Sequence, residues 1–196
     1  FSGEKHTGRL QRTINLTVAT NGGAKKALVV NQAAAAEMVR SDSPNASVQK
    51  TGGNITITGK SNSTKLTFAV TPAEENGLTL QLPTNYTAAG KTTANGAVIA
   101  DDPGAAGEFV WSITISDVPA NVTIEELIAT LKVTAAGGQI ANVTVTQAAG
   151  DSTIELDKET INLDVNGTQQ TVNVTPNDGW TWAQAAARTV LRMMER

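Results

Sequence analysis

Two stretches of the chain alternate apolar and polar residues around a Gly-Gly pair, and they match each other at an offset of 115 residues. Residues 16–34 read LTVATNGGAKKALVVNQAA, and residues 131–149 read LKVTAAGGQIANVTVTQAA. Alternation places the apolar side chains of a strand on one face, and Gly-Gly favours a tight turn between antiparallel strands. Each stretch therefore predicts a β-hairpin with one buried face.

A weaker match links residues 54–72, NITITGKSNSTKLTFAVTP, to residues 160–176, TINLDVNGTQQTVNVTP. Each predicts a strand, a tight turn, and a second strand that ends in Thr-Pro. We interpret the first match as the end of a module and the second as its beginning. The chain then divides into the closing hairpin of a truncated module (1–36), a complete module (37–149), and the opening strands of a third module with a helical tail (150–196).

The complete module contains six predicted strands, at residues 54–58, 65–71, 78–82, 108–116, 129–135 and 140–146. Trp111 lies in the alternating run 109–115 and is predicted to be a core residue. Residues 86–107 are rich in Ala, Gly and Thr and are interpreted as a long loop. Thr123–Glu126 fits a capping box, which predicts one helical turn.

The last 14 residues differ from the rest because their apolar residues recur at helical spacing. These are Ala183, Ala186, Ala187, Val190, Leu191 and Met194. A helix this short is marginal alone, so we expect it to dock on something. The predicted fold is all-β, with tandem immunoglobulin-like β-sandwich modules and a short C-terminal α-helix.

Composition removes several classes of function. The chain has no cysteine and one histidine, and its net charge is −3. We therefore expect no enzyme activity, cofactor, metal site or nucleic-acid partner, and no apolar run is long enough to span a membrane. His6 is interpreted as a flexible, exposed residue. Asp101-Asp102 offers oxygen ligands for calcium without a complete ligand pattern, so solvated loop charge is the simpler interpretation.

Trp180 and Trp182 are two residues apart, so in a strand they would share one face. Two indoles on one face can stack on sugar rings, which makes this pair the candidate carbohydrate-binding residues. Packing in a module core is the alternative interpretation for at least one of them. The candidate inter-subunit contacts are Leu16, Val18, Val30, Val190, Leu191 and Met194.

The segment from Thr153 to Trp180 resembles the opening of a BACON-type immunoglobulin-like domain, in which two short strands lead to a turn and a tryptophan. The two Gly-Gly hairpins, which end at Gln32 and Gln147, are similar to the last strands of that family. The middle module is longer than the family pattern, and the helical tail departs from it.

The resemblance implies a module that occurs in tandem in surface proteins and glycoside hydrolases of Bacteroides-like bacteria, and in structural proteins of their phages. We accordingly expect an extracellular, non-catalytic structural and adhesion module on a bacterial cell or virion surface. Its partners would be host or mucin glycans and neighbouring protein subunits. Two alternatives are a carbohydrate-binding or spacer appendage of a secreted glycoside hydrolase, and a strand-exchanging, pilin-like fibre subunit.

Overall fold

The computed structural model describes residues 2–183, which divide into two compact units, residues 2–150 and 151–183. The strands of the first unit are β1 (Arg12–Ala19), β2 (Lys25–Gln32), β3 (Val39–Ser41), β4 (Asn45–Val48), β5 (Gly53–Ser61), β6 (Leu66–Pro72), β7 (Asn85–Ala88), β8 (Lys91–Ala94), β9 (Phe109–Val118), β10 (Leu127–Ala135) and β11 (Ile140–Gln147). A short 3-10 helix spans Pro103–Ala105. The second unit contains β12 (Ile154–Leu156) and β13 (Val174–Pro176).

Strands β3 to β11 form two sheets around one hydrophobic core. One sheet has the order β4-β11-β10-β6 and the other the order β3-β5-β9-β7-β8. Trp111 is fully buried, and its ring meets that of Phe68 edge-on at 5.5 Å between centroids. Both the all-β class and the core position of Trp111 are therefore confirmed.

The segment 54–72 is not the hairpin that its sequence predicts. β5 pairs with β9 in the five-stranded sheet, whereas β6 pairs with β10 in the four-stranded sheet. Ser61, Asn62 and Ser63 carry the chain between the sheets and are fully buried. The local pattern of strand, polar turn and strand is the same whether the two strands form a hairpin or belong to different sheets. Distant residues decide which strands pair.

The predicted loop at residues 86–107 is also wrong, because it contains a hairpin. β7 and β8 pair through a two-residue turn at Ala89-Gly90, where both residues have positive φ, 50° and 78°. Such a turn matches the twist of the flanking strands but is disfavoured for alanine. The residues at this turn therefore did not predict it.

Three smaller expectations need correction. Residues 78–82 do not form the predicted strand, although the Leu78 N–H donates to the Ile128 carbonyl at 2.8 Å and Leu78 and Leu80 enter the core. Thr123–Glu126 forms a bend rather than a helical turn. His6 is buried, and its Nε2 lies 2.6 Å from the carbonyl oxygen of Leu10.

In the second unit, β13 pairs with β12 instead of forming a hairpin with residues 160–164. Asn166-Gly167 still makes a turn, in which the Gly167 N–H donates to the Asp164 carbonyl at 3.0 Å. No α-helix occurs among residues 2–183. The predicted tail helix, with Val190, Leu191 and Met194, lies outside the described residues.

Candidate functional site

The hairpin β1–β2 repeats the hairpin β10–β11 residue by residue. Both contain eight paired positions, and adding 115 to each partner in β1–β2 gives the observed partner in β10–β11. Leu16 faces Leu28 in the first hairpin, as Leu131 faces Val143 in the second. The sequence repeat is therefore also a repeat of strand register.

The turns repeat as well. In the first hairpin the Thr20 N–H donates to Ala24 at 2.9 Å, and the Gly23 N–H donates to Thr20 at 2.9 Å. The equivalent bonds from Ala135 and Gly138 are 2.9 and 3.0 Å long. Gly23 and Gly138 have φ values of 89° and 88°, a backbone conformation that glycine adopts without steric cost.

The two hairpins differ in what covers them. In β10–β11 the core-facing residues Leu131, Val133, Val143 and Val145 are 0% exposed. The corresponding side chains of β1–β2 belong to what we call the hairpin face, which consists of Ile14, Leu16, Val18, Leu28 and Val30. Ile14 is 54% exposed, Val18 60% and Leu28 37%. A surface of the same pattern is thus a core in one copy and a partly open apolar face in the other.

Neighbouring strands explain the difference. β10 and β11 are flanked by β6 and β4 and packed against the second sheet, whereas β1 and β2 form a two-stranded sheet of their own. Among residues 2–183, no further strand pairs with either edge of β1–β2. A two-stranded hairpin without a packed face is marginally stable in water, so this face is the clearest candidate for a binding surface.

The root of the hairpin is held by the buried side chain of Asn62. Its Nδ2 donates to the carbonyls of Thr7 at 3.0 Å and Ala36 at 2.9 Å, while its Oδ1 accepts from the N–H of Met38 at 2.8 Å. These three residues flank the hairpin on both sides. Asn62 therefore joins the two ends of the hairpin to the crossing between the sheets, a role that sequence reasoning missed.

Arg9 adds a second connection beside Asn62. Its Nε donates to the Asn62 carbonyl at 2.9 Å, its guanidinium pairs with Asp102, and its backbone N–H donates to Gly104 at 2.8 Å. Asp101 pairs with Lys91, whose hydrogen bond and charge lower the pKa of that carboxyl. Both aspartates that were considered for calcium are therefore engaged by basic side chains.

The last residue of each hairpin is a glutamine with a structural role. Gln147 is buried, and its Nε2 donates to the carbonyls of Pro119 at 2.7 Å and Gln49 at 3.3 Å. Gln32 donates to the Glu4 carbonyl at 2.8 Å, and its Oε1 accepts from the Nε of Arg12 at 2.8 Å. Each glutamine side chain therefore hydrogen-bonds the end of its strand to an adjacent segment of the chain.

The candidate sugar-binding residues lie after β13, outside any strand. Trp180 is 49% exposed and Trp182 46% exposed. Their expected alignment on one strand face is not present, although both indoles are open to contact. Of the predicted inter-subunit residues, Leu16, Val18 and Val30 come together on the hairpin face.

Residues 2–183 contain no group of three or more His, Asp or Glu side chains placed to hold a metal ion. They also contain no helix long and apolar enough to cross a bilayer.

Fold and repeat together define an all-β, repeat-like protein with one complete two-sheet core. Residues 17–177 match the sequence profile of the Toastrack DUF4097 family, and the chain belongs to that family. The match begins within β1 and ends directly after β13, so it includes both units. It does not confirm the BACON-type resemblance. No curated protein matches the chain.

Proposed function

We propose that the protein is a non-catalytic structural and adhesion module, displayed outside the cell on a bacterial or virion surface, that works by contact with neighbouring subunits. The observation that carries the proposal is the hairpin face, which has the register and apolar pattern of a core but stays partly exposed. A soluble protein keeps such a surface at a risk of aggregation unless a partner covers it. Burying one such side chain fully contributes about 1.5–3 kcal/mol.

We further propose that the complete module is immunoglobulin-like and of the BACON type. The orders of its two sheets, β3-β5-β9-β7-β8 and β4-β11-β10-β6, support this proposal. Apart from the added edge strand β8, they can be aligned with an immunoglobulin-like sandwich whose first strand is shared between the sheets. In this interpretation β10 and β11 are the last two strands of the module. The hairpin β1–β2 is then the last two strands of another module.

The non-catalytic part of the proposal rests on composition and on the state of the one histidine. Acid–base or nucleophilic catalysis by histidine requires a ring that can reach substrate. His6 lines a cavity together with Lys5 and Glu108, but its Nε2 is engaged by the Leu10 carbonyl at 2.6 Å. The chain also has no cysteine for thiol chemistry.

Association in solution tests the proposal. We expect the mass measured by light scattering to rise with protein concentration. Val18→Asp places a charge on the hairpin face and should weaken association at least about tenfold, because an unpaired charge is costly to bury. Ala27→Asp, the matched control, adds the same charge on the opposite face of β2, away from the edge of β1, and should weaken association much less. A chain that stays monomeric at every concentration, or equal effects of the two variants, would contradict the proposal.

Glycan binding is the second candidate function, favoured by the two half-exposed indoles at Trp180 and Trp182. It predicts that mucin-type glycans bind the chain and that Trp180→Ala abolishes binding. Trp111→Phe, a change inside the core, should leave glycan binding in place. The hydrolase-appendage alternative predicts the same binding but no self-association.

A further inference from the structure

We propose that residues 172–176 of a second copy pair antiparallel with the open edge of β1, so that their apolar side chains extend the hairpin face. The pairs would be Leu16 with Val174 and Val18 with Val172. This inference rests on the proposed function, and it adds the identity of the pairing segment and its register.

The register follows from the hairpin β10–β11, whose outer edge is already paired with β6. β10 pairs with β6, so that Leu131 faces Val70 and Val133 faces Phe68. The sequence of β6 and its preceding residues, TKLTFAVTP, recurs as TQQTVNVTP at residues 168–176. β1 repeats the sequence of β10, and residues 168–176 repeat that of β6. Transferring the β10–β6 pairs to these repeats gives the two proposed pairs.

The hydrogen-bonding edges agree with this pairing. The Phe68 N–H and carbonyl bind the side chain of Asn95, at 2.8 and 3.0 Å, so they point away from β10. Alternate residues of a strand use opposite edges, and Ala69 and Thr71 therefore point toward β10. Their counterparts around β13 are Asn173 and Thr175.

On β1 the matching edge is open. The Thr20 N–H donates to Ala24, which makes Val18 and Leu16 the residues whose backbone groups point toward β2. Asn15 and Thr17 then direct their N–H and carbonyl groups outward. Asn15 would meet Thr175, and Thr17 would meet Asn173, with backbone donors opposite backbone acceptors.

In the second unit, the same edge of β13 is held by β12. The Asp157 N–H donates to the Asn173 carbonyl at 3.1 Å, which is the edge that β6 offers to β10. β12 is three residues long, and its Ile154 and Leu156 are 56% and 51% exposed. We therefore infer that β12 occupies this edge until β1 of a second copy displaces it. The exchange replaces a three-residue ladder with a longer one and places Val172 and Val174 beside Val18 and Leu16 on the same face of the sheet.

Charge complementarity favours this occupant. Residues 1–36 carry five basic side chains and one acidic one, a net charge of +4 with His6 neutral. Residues 151–196 carry seven acidic side chains and four basic ones, a net charge of −3, and six of the acidic ones precede residue 184. The two segments attract each other between copies, whereas two hairpins, or two second units, repel each other.

Cysteine pairs test both the occupant and the register, because the chain has no cysteine of its own. Full-length Val18→Cys and Val172→Cys proteins are mixed, oxidised and analysed by mass spectrometry. Directly facing residues that are not hydrogen-bonded to each other lie close enough for a disulfide. Val18→Cys mixed with Asn173→Cys is the matched control, since residue 173 points to the opposite face.

We expect the disulfide-linked heterodimer of the 18/172 pair to form at least about tenfold faster than that of the 18/173 pair. Equal rates in a chain that still associates would overturn the register but leave the proposed function intact. A chain that remains monomeric would overturn both. If the double variant Val18→Cys/Val172→Cys links only within one chain at high dilution, the chain's own segment pairs with β1, and the second copy is excluded.

Discussion

Replacing Asn62 by alanine should loosen the root of the hairpin. The change removes three hydrogen bonds from a fully buried side chain and leaves the Met38 N–H and the Thr7 and Ala36 carbonyls without that partner. A buried polar group that loses its partner costs about 1–3 kcal/mol. Because the hairpin root can relax toward water, we expect a total loss of about 3–5 kcal/mol in the free energy of unfolding.

Urea unfolding at equilibrium measures this loss, and amide exchange at Met38 locates it. Asn85→Ala is the matched control, since Asn85 is exposed and its side chain donates only a 3.3 Å hydrogen bond to Thr84. The control should change the free energy of unfolding by less than about 0.5 kcal/mol. A loss below about 1 kcal/mol for Asn62→Ala, or unchanged exchange at Met38, would refute the role given to Asn62.

Three further predictions concern the core, the surface charges and association. Gly59→Ala should destabilise the chain by more than about 2 kcal/mol in urea unfolding, because the added Cβ would overlap the Arg40 carbonyl and the Trp111 ring; a neutral result would contradict the packing. Lys91→Met should raise the pKa of Asp101 toward its usual value in an NMR titration. The Lys91–Asp101 pair stabilises the fold above the ordinary pKa of Asp101, and this contribution is lost as the pH falls through the lowered pKa. The free energy of unfolding of the variant should therefore change less with pH in that range. An unchanged pKa of Asp101 in the variant would refute the pairing. Self-association should weaken as the salt concentration rises from roughly 0.05 to 0.5 M, because the Debye length shortens over that range. Stronger self-association at high salt would contradict the charge argument.

The repeated hairpin was predictable from the sequence because its information is local. Alternation fixes which side chains share a face, the glycine pair fixes the turn, and the match at 115 residues carries the register from one copy to the other. The buried position of Trp111 followed from the same alternation. The module boundaries at residues 36 and 149 stay predictions.

What the sequence concealed depends on distant partners. β5 and β6 look like a hairpin, but they separate into two sheets because β9 and β10 pair with them. His6 and Asn62 are polar residues in polar stretches of the sequence. They become buried because the segment that follows residue 35 packs beside them. The turn at Ala89-Gly90 uses a conformation that propensity disfavours for alanine, and the ladder on either side maintains it.

Amide exchange along β1 tests most directly whether the open edge of the hairpin is an interface between copies. In the hairpin alone, the Leu16 and Val18 amides are bonded to β2 and should exchange slowly, while those of Asn15 and Thr17 should exchange rapidly. We predict that raising the concentration of the full chain protects the Asn15 and Thr17 amides from exchange at least about tenfold, because they then bond to a second copy. Rapid exchange of Asn15 and Thr17 at every concentration would contradict it.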